Sequence, residues 1–238
     1  MKVIQLKEVG STNLYFKHHL NEHHHFDVVY TYKQTQGKGR HINQWYSDHE
    51  SIAFSILIKD QLKETDFSLL PLFMSMVVHK ALYNYSKKVM IKWPNDILIK
   101  DKKIVGILTE SVIQKDPLAY IIGTGINVNN QKFPKEIEQV ASSLAKECHQ
   151  TFDKVQILND ILTIFHDQYP SLLKDPEKII DYCNRFNSLK DQIITYQSQQ
   201  GEKSGKCIGI NKSGHLLVER KQERTELVSG LVQKIRNE

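Results

Sequence analysis

Apolar positions along this chain follow two textures. Through about residue 188, short β-branched runs alternate with longer stretches whose apolar residues recur at helical spacing; after it only short strands remain. Residues 3–8 alternate as a brief strand would, and Ser11-Thr12-Asn13 then offers capping groups for a helix running to about Asn21. Val28 to Lys33, rich in Val, Tyr and Thr, predicts the next strand, and Ser51 to Ile58 a second, apolar one. Between them Gln34 to Trp45 has no apolar period and reads as a loop. Phe67 to Tyr85 has the spacing of a long buried helix. Ile91-Lys92-Trp93, Asp96 to Lys100, Lys103 to Ile113 and Ala119 to Asn127 predict strands with tight connections. Ile137 to Cys148, Val155 to Tyr169 and Pro176 to Phe186 predict helices, the last two parted by Pro170 and the Asp175-Pro176 step. This order predicts an α+β fold, a mixed β-sheet with flanking helices.

Past about Leu189 come Ile193 to Tyr196, Gly205 to Ile210, His215 to Glu219, Glu226 to Val228 and Leu231 to Gln233, short strands set apart by Gly, Asn and Ser turns. Strands at this spacing predict a small closed or half-closed β-barrel. Two units follow, residues 1–188 and 189–238, with no internal repeat or low-complexity tract.

Composition narrows the setting. With 238 residues, 40% hydrophobic and 25% charged, the chain can bury a sizeable core. No apolar run approaches the ~20 residues of a membrane span. Met1 to Leu6 lacks the apolar stretch of a signal peptide, so a cytoplasmic protein that avoids membranes is expected. The net charge of +5 suits anionic ligands but is too small and too scattered to indicate nucleic acid. Cys148, Cys183 and Cys207 lie far apart with no Cys-x-x-Cys pair, which supports neither a disulfide framework nor a zinc site. His18, His19, His23, His24 and His25 are the one oddity. Without a matching carboxylate or cysteine cluster they read as a solvated surface ahead of a metal site, and no metal site is assigned.

Chemistry concentrates in Lys92-Trp93-Pro94-Asn95-Asp96-Ile97-Leu98-Ile99 and, a few residues on, Lys103-Ile104-Val105-Gly106-Ile107-Leu108-Thr109-Glu110. Two strand-like segments flank a turn bearing Asp101, Lys102 and Lys103, and Asn95-Asp96 follows a proline. Amide, carboxylate and ammonium groups converge where the apolar sheet is interrupted, as in a site for a small polar ligand. In Gly37-Lys38-Gly39-Arg40 the glycines let the backbone approach a ligand between basic side chains, although a solvated basic turn has the same local sequence. Gly106, in an apolar strand, marks a bulge, the close approach of another group, or packing of strand against helix.

Five segments resemble, in order and approximate spacing, the motifs of the biotin–protein ligases. They are Ser11-Thr12-Asn13, Gln34-Thr35-x-Gly37-x-Gly39-Arg40 with Trp45 downstream, Lys92-Trp93-Pro94-Asn95-Asp96, Lys103-x-x-Gly106-Ile107-Leu108-x-Glu110 and Gly123-x-Gly125-Ile126-Asn127. The tail, Gly209-Ile210-Asn211 through Gly214-x-Leu216 to Ser229-Gly230, resembles the SH3-like barrel that ends members of that family. The likeness spans nearly the whole chain. It implies a class II synthetase-like catalytic domain plus that C-terminal barrel. The activity it implies is coupling of biotin to ATP, giving biotinoyl-5′-adenylate and pyrophosphate, then transfer of the biotinoyl group to a lysine of a biotin carboxyl carrier protein. Mg2+ would accompany ATP. Some members also carry an N-terminal helix-turn-helix repressor module; the first motif begins at residue 11 here, so a ligase-only type that does not bind DNA is expected. The resemblance admits a homodimer. Lipoate or octanoate ligases and transferases share the catalytic fold, but the Lys-Trp-Pro-Asn-Asp block and the terminal barrel favour biotin; a non-catalytic adenylate-binding module is the other alternative.

By resemblance Ser11, Thr12, Asn13 and Gln34 bond the biotin ureido ring, an uncharged donor and acceptor group, while Ser11 or Thr12 could equally cap the helix. Gly37, Lys38, Gly39, Gly106 and Gly123, with Gly125, line or cover biotin. Adenylation brings two anions together, so cations are required, and Arg40, Lys38 and Lys103 are the candidates. Lys103 matches the lysine on the biotin carboxylate, and Arg40 would contact phosphate or carboxylate. On the nucleotide side stand Lys38, Trp45, Lys92, Asn95 and Asn127. Trp45 either packs on adenine or anchors the loop, and Lys92 either serves the triphosphate or is a strand-edge lysine. Asp96 completes the catalytic set with Lys103 and Arg40. It could hold magnesium through water, orient an amine or act as a base, or simply tie the turn after Pro94. Many members have Gly-Arg-Gly-Arg-x-Gly-Arg-x-Trp, whereas this chain has Lys38, Ile42 and Asn43 in place of the first arginine, third glycine and last arginine. The loop is expected to be mobile when empty and to order over the ligand.

Overall fold

Residues 51–58 and 119–127 combine apolar side chains with small ones on alternate positions, and these two runs become the buried centre of a seven-stranded sheet. The computed structural model describes residues 1–40, 43–60, 62–112, 118–198, 201–221 and 223–235, with backbone alone at 64–66. In chain order the elements are β1 (Val3–Gln5), α1 (Thr12–His18), β2 (Val28–Thr31), β3 (Ser51–Ile58), α2 (Glu64–Leu82), β4 (Val89–Lys92), β5 (Asp96–Ile99), β6 (Lys102–Val112) and β7 (Ala119–Asn127). Then follow α3 (Leu144–Cys148), α4 (Lys154–Lys174), α5 (Glu177–Arg185), β8 (Ile193–Ser198), β9 (Gly201–Ile210), β10 (Leu216–Arg220), β11 (Glu223–Leu227) and β12 (Val232–Lys234). The first sheet runs β1-β2-β3-β7-β6-β5-β4. Its β1–β2 pairing is parallel and the others antiparallel, so the expected mixed sheet with flanking helices is present.

One face packs against α2, α4 and α5 through Ile52, Phe54, Ile122, Phe73, Val77 and Phe165, among others. Burying each such side chain contributes roughly 1.5–3 kcal/mol. On the other face Phe16 and Leu20 meet Val29, Leu57 and Ile121. That second face is only half covered by apolar packing; its remaining positions, Ala53, Ser55, Gly123, Gly125 and Gly106, are small, and they leave a hollow beside α1. No helix among the described residues is long and apolar enough to cross a membrane.

Three expectations change. The helix expected over 137–148 survives only as α3, because Lys103 N–H donates to Val140 O and Ser142 N–H to Lys103 O, drawing the segment along β6 before Ser143 caps the helix. In contrast α4 runs through Pro170 to Lys174: Tyr169 and Leu172 are buried on either side of the proline, and their packing outweighs the lost backbone bond. The barrel expected at the C-terminus does not form. Its strands make an open sheet, β11-β10-β9-β8-β12, and among the described residues no pairing joins β11 to β12. The reason lies in β11, whose Glu223, Arg224, Thr225 and Glu226 are exposed on both faces and offer closure nothing to bury.

This open sheet docks on the first. Cys207, Ile210, Leu216 and Val218 join the same core as α2 and α5. The buried Trp93 indole donates Nε1–H to Gly214 O at 2.8 Å. Asn184 on α5 donates Nδ2–H to Ile210 O and accepts from Ile210 N–H, at 2.8 and 2.7 Å.

Candidate active site

Register fixes the floor of the hollow. Across the sheet Ala53 pairs with Gly125, Gly125 with Gly106, Gly106 with Asp96 and Asp96 with Lys92; two residues along, Ser55 pairs with Gly123 and Gly123 with Leu108. The glycines sit here because other side chains need their space. A Cβ at Gly123 would run into the Asn13 carboxamide, and one at Gly125 into the Trp45 indole. One at Gly106 would meet Trp45 Cζ3 at 2.9 Å and Lys103 Cε at 3.1 Å.

Residues 37–40 and 43–45 pair over this floor as the two arms of a hairpin. Lys38 and Gln44 form an antiparallel bridge, Trp45 N–H donates to Gly37 O and Gly39 N–H to Asn43 O. Gly37 stands at the base of this hairpin, where a Cβ would strike the Trp45 carbonyl, and not at the cavity. The Trp45 indole packs on the glycines, and among the described residues nothing accepts its buried Nε1–H. Ile42 lies outside the described residues.

A bulge aims the next group. Ile97 pairs with Val105 but Leu98 with Lys103, so Ile104 and Val105 both enter the core and Lys103 turns to the cavity side. There Lys103 Nζ lies 2.7 Å from Asp96 Oδ1, a charge pair and not an aligned hydrogen bond, and 5.7 Å from the centre of the Trp45 ring. Arg40 Nη1 donates to Asn95 Oδ1 at 3.3 Å, and Asn95 Nδ2 donates to Ile107 O at 2.6 Å. Burial pulls the Arg40 guanidinium below its ordinary range, opposed by the nearby Asp96 carboxylate. Lys92 is also lowered, first by burial, with Lys103 and Lys234 adding repulsion and Asp96 opposing. Lys234 Nζ donates to Asp101 Oδ1 at 2.6 Å.

On the α1 side, Ser11 caps the helix, its Oγ 3.5 Å from Leu14 N. Thr12 N–H donates to Gln34 Oε1 at 2.8 Å, and Ser55 Oγ lies 2.7 Å from Thr12 Oγ1 and 2.6 Å from Asn13 Oδ1. The result is a cavity of about 130 Å³ walled in part by Trp45, with uncharged hydrogen-bonding groups toward β3 and charged ones toward β5. Among the described residues four cations line it, Lys38, Arg40, Lys92 and Lys103, against one carboxylate, Asp96. A wider cavity of about 940 Å³ adjoins it, sharing Asn43, Gln44, Trp45, Lys92, Asp96 and Lys103.

The biotin/lipoate A/B protein ligase family model matches residues 5–127, which hold α1, the hairpin loop and the whole glycine floor. The chain belongs to this family. Its relatives include the bifunctional ligase/repressor BirA of Bacillus subtilis, 31% identical over 202 residues that cover 81% of this chain and 61% of that protein. The biotin–protein ligase of Homo sapiens is 27% identical over 221 residues, 85% of this chain and 29% of that one. The chain thus spans about three fifths of the length of the Bacillus relative. Among solved structures, the biotin protein ligase from Aquifex aeolicus in complex with biotin and ATP matches with a TM-score of 0.87 at 26% identity, over 98% of this chain and 99% of that chain.

Of the residues singled out from sequence, this family member gathers Ser11, Thr12, Asn13, Gln34, Lys38, Gly39, Arg40, Trp45, Lys92, Asn95, Asp96, Lys103, Gly106 and Gly123 around the smaller cavity. Asn127 stands apart in the wider one, donating Nδ2–H to Ser142 O, and its buried Oδ1 has no partner among the described residues. Sequence reasoning missed Ser55, hidden in an apolar run, and the C-terminal Gly230, Leu231, Val232 and Lys234 that reach the two cavities. The histidines are not uniformly solvated as expected: His18 and His24 are exposed, but His23 is buried 3.6 Å from Asp27 and His25 Nδ1 accepts from Lys59 N–H. Among the described residues no group of His, Cys, Asp or Glu could hold a metal ion.

Proposed function

We propose that this chain is an ATP-dependent biotin–protein ligase, joining biotin to ATP as biotinoyl-5′-adenylate with release of pyrophosphate and then passing the biotinoyl group to a lysine of a carboxyl carrier protein. The observation that carries this reading is the division of one cavity between an uncharged hydrogen-bonding end and a cationic end, bridged by Gly106, Gly123 and Gly125. The ureido ring takes the first end, near Thr12, Asn13 and Gln34. Its carboxylate reaches Lys103 and Arg40, which draw the biotin carboxylate oxygen against the α-phosphorus of ATP. As the new O–P bond forms, the bond to the β-phosphate oxygen breaks, and the same cations with Lys92 stabilise the charge on phosphorus. Mg2+ arrives with the triphosphate, since Asp96, the one carboxylate lining the cavity among the described residues, already faces Lys103. In the second step the carrier's amine nitrogen attacks the acyl carbon, AMP leaves and the amine loses a proton, with positioning as the main contribution.

Trp45 occupies the hollow, and among the described residues nothing accepts its buried N–H, at a cost of about 1–3 kcal/mol. In this reading the indole and its hairpin lift to admit ligand and close on it. Incubation with ATP, Mg2+, labelled biotin and a carrier domain tests the whole: label on the carrier lysine is the expected result. Adenylate without transfer would mark a binding module, and lipoate used in place of biotin would mark the other branch of the family. Protease cleavage within residues 37–45 should slow when biotin and ATP are added, and equal rates would remove the closing loop.

A further inference from the structure

Behind the uncharged end of the cavity runs a line of side chains that starts outside it. Lys17 Nζ on α1 donates to Glu110 Oε1 on β6 at 2.6 Å. Glu110 Oε2 accepts from Asn13 Nδ2 at 2.8 Å. Asn13 Oδ1 lies 2.6 Å from Ser55 Oγ, and Ser55 Oγ 2.7 Å from Thr12 Oγ1. Asn13 and Thr12 line the cavity; Lys17 and Glu110 do not.

The links nearest Glu110 have a forced direction. An ammonium only donates and a carboxylate only accepts, so Asn13 turns its NH2 to Glu110 and its carbonyl to Ser55. Ser55 has one hydroxyl proton, and that carbonyl takes it. With that proton committed to Asn13, Ser55 does not donate to Thr12, and the Thr12 hydroxyl donates to Gln34 Oε1 at 3.2 Å. Thr12 Oγ1 keeps its lone pairs. Because Gln34 Oε1 already accepts the Thr12 backbone N–H, Gln34 Nε2 is left as a donor. An acceptor at Thr12 and a donor at Gln34 match the N–H and C=O of a cyclic urea. With Glu110 uncharged, Asn13 could flip, the Ser55 proton would turn to Thr12 Oγ1, 2.7 Å away, and that bond would compete with the urea N–H for the Thr12 acceptor.

We propose that Glu110, held by Lys17, is a positioning residue that sets the hydrogen-bond polarity of the ureido end through Asn13 and Ser55. This rests on the biotin-ligase reading and assigns a role to two residues that touch no substrate.

The test is biotin-dependent exchange of labelled pyrophosphate into ATP. Glu110→Gln, which keeps shape and removes charge, should raise the KM for biotin about tenfold and leave the KM for ATP within about twofold. Adding Asn13→Asp to that variant restores an acceptor-only group toward Ser55 and a donor at position 110. It should bring the biotin KM back to within about threefold of wild type. Lys17→Met, which leaves the cavity lining untouched, should raise the biotin KM about threefold and serves where Glu110→Gln folds poorly. No exchange in the wild-type protein overturns the ligase reading and this inference with it. Exchange whose biotin KM is unmoved by both Glu110→Gln and Lys17→Met overturns the inference alone, as does a double exchange that fails to rescue or biotin and ATP KM values that rise together.

Discussion

Lys103 and Lys92 face the same carboxylate from the strands on either side of it, yet their substitutions should differ in what they do to stability. Lys103 is about one third exposed, with its charge set against Asp96. Lys103→Ala should slow pyrophosphate exchange by about 100-fold or more while changing stability by less than about 1 kcal/mol. Exchange rates and thermal unfolding measured on one preparation check both halves, and unaltered exchange would take Lys103 out of the mechanism. Lys92 is held below the ordinary lysine range chiefly by burial, so its charged form costs the fold something. Lys92→Met should therefore stabilise the protein by about 1 kcal/mol and still depress exchange, a divergence visible in paired urea titrations and activity assays. The residue types for this chemistry were legible in the sequence, as was their grouping. What their neighbours would be was not. Gly123 reads as room for a ligand, but the room is filled by Asn13, and Ser55 could not be told from the apolar residues around it. Such pairings depend on register across β3, β7 and β6, which periodicity within one strand does not encode.

At the scale of elements, most strands and helices of residues 1–188 follow their apolar periods, and the departures arise where a distant partner outbids local preference. Pro170 should end a helix, but α4 has buried residues on both sides of it. The bulge at Ile104 leaves no mark in a run of Ile and Val, yet it decides which way Lys103 points. The His79 side chain on α2 illustrates a tie between elements: one ring nitrogen pairs with Tyr182 Oη on α5 and the other with Val89 O on β4, at 2.9 and 3.1 Å. Burial lowers its pKa from 6.5 to about 4, so it is neutral when folded. The unfolded chain then binds the extra proton first. Stability from this histidine is complete above pH 6.5, falls as pH drops toward 4 and levels off below, a loss of roughly 3 kcal/mol. Urea unfolding across that interval should show a shallower pH slope in His79→Gln than in the wild type; equal slopes would show that other groups govern acid unfolding.

Over the whole molecule, the sequence shows a change of strand texture near residue 189, but openness of the second sheet leaves no mark in it, because closure depends on whether β11 has an apolar side to bury. The two sheets share a core, and the second reaches back to the site: Gly230, Leu231 and Val232 line the smaller cavity and Lys234 the wider one. The buried bond from Trp93 to Gly214 O is one fastening between them. Trp93→Phe keeps the ring but strands that carbonyl, and should cost about 1–3 kcal/mol in denaturant unfolding. An unchanged midpoint would mean that the packing around Gly214 suffices alone.

The chain has only two tryptophans, and they stand in opposite circumstances, one locked in the core and the other resting on glycines where a ligand must enter. Any occupant of that hollow has to change the surroundings of a single indole. Intrinsic emission excited near the red edge of tryptophan absorption should consequently report occupancy without a dye, and a version bearing phenylalanine at the core position would leave a lone fluorophore whose spectrum follows the doorway itself.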